Sequence, residues 1–160
     1  MSLPARTILT DALETALKGI TPDDGARTNI GRLVAVGEYQ VNDTEIPCCV
    51  LLPGAETPAP NAGINGHVTV AYSVSGFLHR RESVASEYTT DPHAEFALID
   101  AVIADIRDAI EGAWCALSEK AETLVYVGAE THYHQEGGEK CGATVRYLIT
   151  TPYVDYIPGQ

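Results

Sequence analysis

The chain has 160 residues, 22 Asp and Glu against 10 Lys and Arg, and a formal net charge of −12. With 45 % hydrophobic and 20 % charged residues, it is too apolar for a disordered acidic chain and long enough for one domain with its own core. The acidic balance excludes tight grip on DNA phosphates and docking on anionic membranes.

The first expected element is a helix over residues 4–20. Ile8, Leu9, Ala12, Leu13, Ala16, Leu17 and Ile20 recur at helical spacing, and Gly19 suits its end. A turn follows at Thr21-Pro22-Asp23-Asp24-Gly25. Strand-like stretches come next, at Arg32-Leu33-Val34-Ala35-Val36, Glu38-Tyr39-Gln40-Val41 and Ile46-Pro47-Cys48-Cys49-Val50-Leu51-Leu52. The last is apolar without alternation, as in a strand covered on both faces, and Pro47 places its start at an edge or strand end. Residues 53–66 read as a long proline-containing loop. The clearest alternation runs from His67 to Val74, and residues 75–90 read as a second long loop.

Residues 92–117 form the strongest helical pattern, with Asp91 as cap and Pro92 at the first position. Phe96, Ile99, Ile103, Ile106, Ile110, Ala113 and Leu117 make its stripe, while Asp100, Asp105, Asp108 and Glu111 make its wet side. A hairpin closes the pattern: residues 124–134 go out, Glu136-Gly137-Gly138-Glu139 turns and residues 143–150 return. Residues 152–160 read as an extended arm. The order α-β-β-β-α-β-β predicts an α+β domain over residues 1–160, a mostly antiparallel or mixed sheet with two helices packed on it.

The start of the chain lacks a signal-peptide pattern, and no apolar run reaches the ~18–20 residues of a membrane span. The expectation is a protein of a reducing cytoplasm with no membrane partner. Cys48, Cys49, Cys115 and Cys141 lack close-pair spacing, so they read as buried free thiols. Neighbouring Cys48 and Cys49 point to opposite faces of a strand and do not suit one ion.

Phosphate-cradling glycine motifs, the GxSxG elbow and HExxH are absent, so no catalytic residue and no cofactor are expected. One candidate metal set remains. His132, His134 and Glu136 alternate, and two imidazoles with a carboxylate form a known zinc or iron set. The simpler reading of these residues is the polar end of a hairpin. Likewise Asp91, His93 and Glu95 are explained by capping and the helix dipole, and His67 and His79 stand alone in sequence. Arg80-Arg81 reads as a solvated pair or a subunit salt-bridge donor.

The layout resembles the tail terminator (tail completion, minor tail) proteins of long-tailed bacteriophages and prophages. The features that carry the resemblance are the helix Arg6 to Ile20, the apolar segment Ile46 to Glu56 entering a loop, and the strand His67 to Val74. They continue with the acidic helix Asp91 to Leu117 and the closing hairpin ending in Val145-Arg146-Tyr147-Leu148-Ile149-Thr150-Thr151-Pro152-Tyr153. The resemblance implies a structural role without enzymatic activity. Copies self-associate into a ring, typically hexameric, that caps the tail-tube protein and meets the head–tail connector protein. Genome DNA passes through without specific binding. The implied location is host cytoplasm during assembly, then the virion tail. The remaining alternative is a small metal-dependent enzyme using His132, His134 and Glu136.

Overall fold

The computed structural model describes residues 5–58, 67–80, 92–114 and 121–152. Its elements are helix α1 (Ala5–Lys18), strands β1 (Val34–Val36), β2 (Cys48–Pro58) and β3 (His67–His79), helix α2 (Pro92–Gly112), and strands β4 (Thr123–His132) and β5 (Lys140–Pro152). This is the α-β-β-β-α-β-β order expected from the hydrophobic patterning, and the fold is α+β.

The strands form one sheet in the order β1-β2-β3-β5-β4. β1 pairs with β2 in parallel, and the other pairs are antiparallel. β3 and β5 form the long centre, pairing from His67–Pro152 through to His79–Lys140. Among the described residues β4 is therefore one edge of the sheet and β1 the other.

Both helices pack in one core with the sheet. Leu9, Leu13, Leu17 and Ile20 reach it from the α1 region, and Leu98, Ile99, Val102, Ile106 and Ile110 from α2. They meet Leu51, Val70, Tyr72, Val74, Val145, Tyr147 and Ile149 from the strands. Tyr72 is buried to the ring, and its hydroxyl pairs with the Thr10 hydroxyl at 3.0 Å. Gly76 lets the layers close: a Cβ there would stand 2.6 Å from Val102 Cγ1 and 2.8 Å from Ile30 Cδ1.

Cys48 to Leu51 is buried at every residue. Cys49 and Leu51 enter the main core, while Cys48 and Val50 join a second cluster with Val41, on the far side of the sheet. The two cysteines thus face opposite ways, as alternation demands. Cys48, Cys49 and Cys141 are buried, the first two as free thiols; Cys115 lies outside the described residues.

Several expected boundaries change. Pro53–Pro58, read as loop, continue β2 against β3 with a bulge between Pro53 and Glu56. The reason is positional. β1 covers β2 only along Cys49–Leu51, so beyond that β2 is itself an edge, where proline is tolerated. Arg6 of α1 bonds the Gly54 carbonyl at 2.8 Å and holds this extension. Ser75–His79, also read as loop, complete β3 because β5 offers a partner along their whole length. Residues 59–66, 81–91, 115–120 and the arm from 153 lie outside the described residues. Glu38–Val41 is not a strand: Gly37 takes φ +101° and redirects the chain across the sheet.

In α2 the buried stripe centres on Val102. Leu98 and Ala101 join it, whereas Phe96 is 52 % exposed. Asp105, placed by the pattern on the wet side, is 3 % exposed. Its carboxylate accepts from the Thr28 amide and hydroxyl at 2.7 Å each, and from the Arg27 amide and guanidinium at 3.1 and 3.0 Å. That satisfaction makes burial of the charge tolerable.

Candidate functional site

The histidines of the hairpin are placed by two different networks. His132 ends β4, and its Nε2 lies 2.7 Å from the Thr144 hydroxyl, which in turn lies 2.7 Å from the Ser75 hydroxyl. Its ring also stacks on Phe77 with centroids 6.2 Å apart. His134 points instead toward the first turn of α2. Its backbone amide and Nδ1 both reach the Glu95 carboxylate, at 2.7 and 2.8 Å.

Arg80 Nη1 stands 2.7 Å from His134 Nε2. A guanidinium only donates, so Nε2 accepts. The imidazole is then neutral, with its proton on Nδ1 and donated to Glu95. Arg80 also pairs with Glu139 at 3.3 Å. The ends of β3 and β4, the start of α2 and the hairpin turn thus meet in one clamp.

The three residues of the metal candidate are engaged differently. Both ring nitrogens of His134 are taken by protein groups, His132 faces Thr144, and Glu136 is exposed. Among the described residues no group of His, Cys, Asp and Glu is arranged to hold a metal ion. Glu95 acts as the partner of His134, a role that helix-dipole reasoning alone does not reveal. Asp91 and the His93 side chain lie outside the description. His67 pairs with Glu122 at 2.7 Å, and His79 with Glu139 at 3.5 Å. Arg80 is committed within its own chain, and Arg81 lies outside the described residues.

A surface depression of about 410 Å³ lies beside His132, bordered by Phe77, Tyr133 and Lys140. The Lys140 ammonium sits 5.3 Å from the Phe77 ring centroid and donates to the Val41 carbonyl at 3.4 Å. The lysine therefore ties the chain near Val41 to β5.

The acidic side of α2 is partly neutralised. Arg27 bridges Asp105 and Asp108 at 3.0 and 2.9 Å, and Arg107 pairs with Glu111 at 2.9 Å. The two carboxylates hold the Arg27 guanidinium above its ordinary pKa, through the hydrogen bond it donates to Asp108 first and the one to Asp105 next. Asp100 stands exposed.

The feature that remains is the sheet itself. The side away from the helices is covered near β1 and β2, where Val41 and Ile46 fold over Cys48 and Val50. Toward β4, among the described residues, that side is open. Val125 is 50 % exposed and Leu148, its register partner on β5, 39 %. Val127, at the bulge between Tyr126 and Gly128, is 55 % exposed. β4 contains no lysine and no proline, two devices that commonly protect a sheet edge. Sequence patterning identified this strand but not its edge position.

No family model matches the chain, and no curated protein matches it. Among the described residues, no helix is long and apolar enough to cross a membrane.

Proposed function

We propose that the protein is a structural subunit of a long-tailed phage or prophage tail, similar to tail terminators. Its copies close into a ring on the tail tube and join it to the head connector. The observation that supports this reading best is the β4 edge, unpaired among the described residues, with the exposed Val125 and Leu148 beside it. An assembly subunit needs surfaces that its own chain leaves unsatisfied, and a cyclic ring needs two different ones that meet head to tail. The α-β-β-β-α-β-β order, which carries the resemblance to that family, adds support.

On this reading the protein is not an enzyme and uses no cofactor. Its acidic surplus repels phosphate, so that genome DNA slides past without being held. The test is native mass over a concentration series, with negative-stain images of the protein alone and mixed with tail tubes. The expected result is a ring, hexameric as in the family it resembles, seated on tube ends. A strict monomer at every concentration that leaves tube ends bare overturns the proposal.

A further inference from the structure

We infer that the β4 edge receives residues Tyr153–Ile157 of a neighbouring copy, added to the sheet as a sixth strand. This deepens the assembly reading by naming the partner segment, and it rests on the part of that reading in which copies meet.

The first argument is the edge. A strand hydrogen-bonds to neighbours on both sides, and among the described residues β4 has one only in β5. About half of its amides and carbonyls therefore point outward without a sheet partner. The bulge between Tyr126 and Gly128 leaves Thr123–Tyr126 as the regular stretch before it, which is four residues. Such an edge selects an extended peptide through its backbone and reads alternate side chains through neighbouring apolar surface. Here that surface is Val125 and Leu148, with Val127 exposed at the bulge beside them.

The second argument is the segment that follows β5. Tyr153-Val154-Asp155-Tyr156-Ile157 is rich in β-branched and aromatic residues, carries one charge and stops at Pro158. Its composition favours a strand, and Pro158 ends a ladder by lacking a donor. Its five residues are enough to cover the regular stretch Thr123–Tyr126.

The third argument is reach. Thr150 pairs with Thr123, where β4 begins, so β5 carries the chain past that end of β4. To line its own β4 edge, the segment would have to reverse direction and cross about 10 Å, two strand spacings. Five extended residues span only about 17 Å, so the crossing and reversal would leave almost nothing to pair. Running straight on into another copy requires neither. The donor and receiver surfaces differ, so the contact is heterologous and repeats around a ring.

The experiment uses the full chain and two full-length variants. One carries Val154→Pro with Tyr156→Pro, and the other Val125→Lys with Val127→Lys. Association is read by sedimentation and native mass, and amide exchange is followed across residues 123–127. The parent should associate and protect those amides as concentration rises. Each variant alone should associate at least about tenfold more weakly, with unchanged circular dichroism when dilute. Mixed together, the variants should form a heterodimer, because one retains the edge and the other the segment.

Equal association of the parent and the segment variant overturns this inference and leaves self-assembly standing, since edge-to-edge or other pairing would then hold the copies. A monomeric parent with protected 123–127 amides shows docking within one chain and also overturns it. Failure of the mixture to form the heterodimer does the same. A monomeric parent with unprotected amides overturns this inference and the ring together.

Discussion

The side of the sheet away from the helices has two halves built to different ends. Over β1 and β2 the chain folds back on itself, and Cys48 and Val50 sit beneath Val41, at 1 % and 8 % exposure. Arg32 fastens that cover by donating to the Glu45 carbonyl at 3.0 Å. Tyr39 and Asn42 both donate to the Glu45 carboxylate, and those hydrogen bonds, from Tyr39 first, hold it below its ordinary pKa. Over β5 and β4 nothing described lies on Val125 or Leu148. Among the described residues, the same sheet thus covers one half with its own side chains and leaves Val125 and Leu148 of the other half exposed. Apolar residues in the first half stabilise the monomer, and on the proposed reading those in the second serve association.

The comparison breaks most visibly if a charge enters the closed half. Val50→Asp should cost about 3 kcal/mol or more, because a carboxylate would lose water without gaining a partner; denaturant unfolding measures it. His134→Ala should cost roughly 1–3 kcal/mol, since the mostly buried Glu95 would keep only a backbone donor from that residue. An unchanged unfolding midpoint would show that the clamp at the end of the open half holds nothing.

Alkali is a gentler probe of the closed half. Burial raises the Cys48 thiol to about 11. The unfolded thiol ionises near pH ~8.5, so the unfolded chain releases its proton first. This contribution to stability is complete below that pH and is lost as pH rises through about 11. Cys48→Ala should flatten that part of the stability curve, and Cys48 and Cys49 should resist thiol reagents until the protein unfolds. The smallest expected effect is in the open half. Val125→Lys should leave monomer stability within about 0.5 kcal/mol while it weakens association. A large loss of monomer stability instead would place Val125 in the core and dissolve the contrast.

Much of the fold was legible in the chain. Period 3.6 located both helices, period 2 located β3 and β5, and the unbroken apolar run at Cys48–Leu51 correctly implied cover on both faces. What failed did so because local patterning does not report neighbours. Pro53 and Pro58 suggest a loop until β3 is seen beside them with β2 free on the other side. Asp105 suggests a solvated face until Thr28 and Arg27 are seen to supply its donors. The candidate site was less legible still. His132 and His134 alternate in sequence, yet partners 12 and 39 residues away draw them into separate networks.

The sequence by itself determined the element types, their order and the acidic balance, because these depend on spacing and composition within one stretch of chain. Only the tertiary structure decided that β4 lies at an edge and that the cover from Val41 stops short of it. Strand order is set by which faces can be buried together across the whole chain, and a strand in the middle and a strand at the edge are spelled with the same residues.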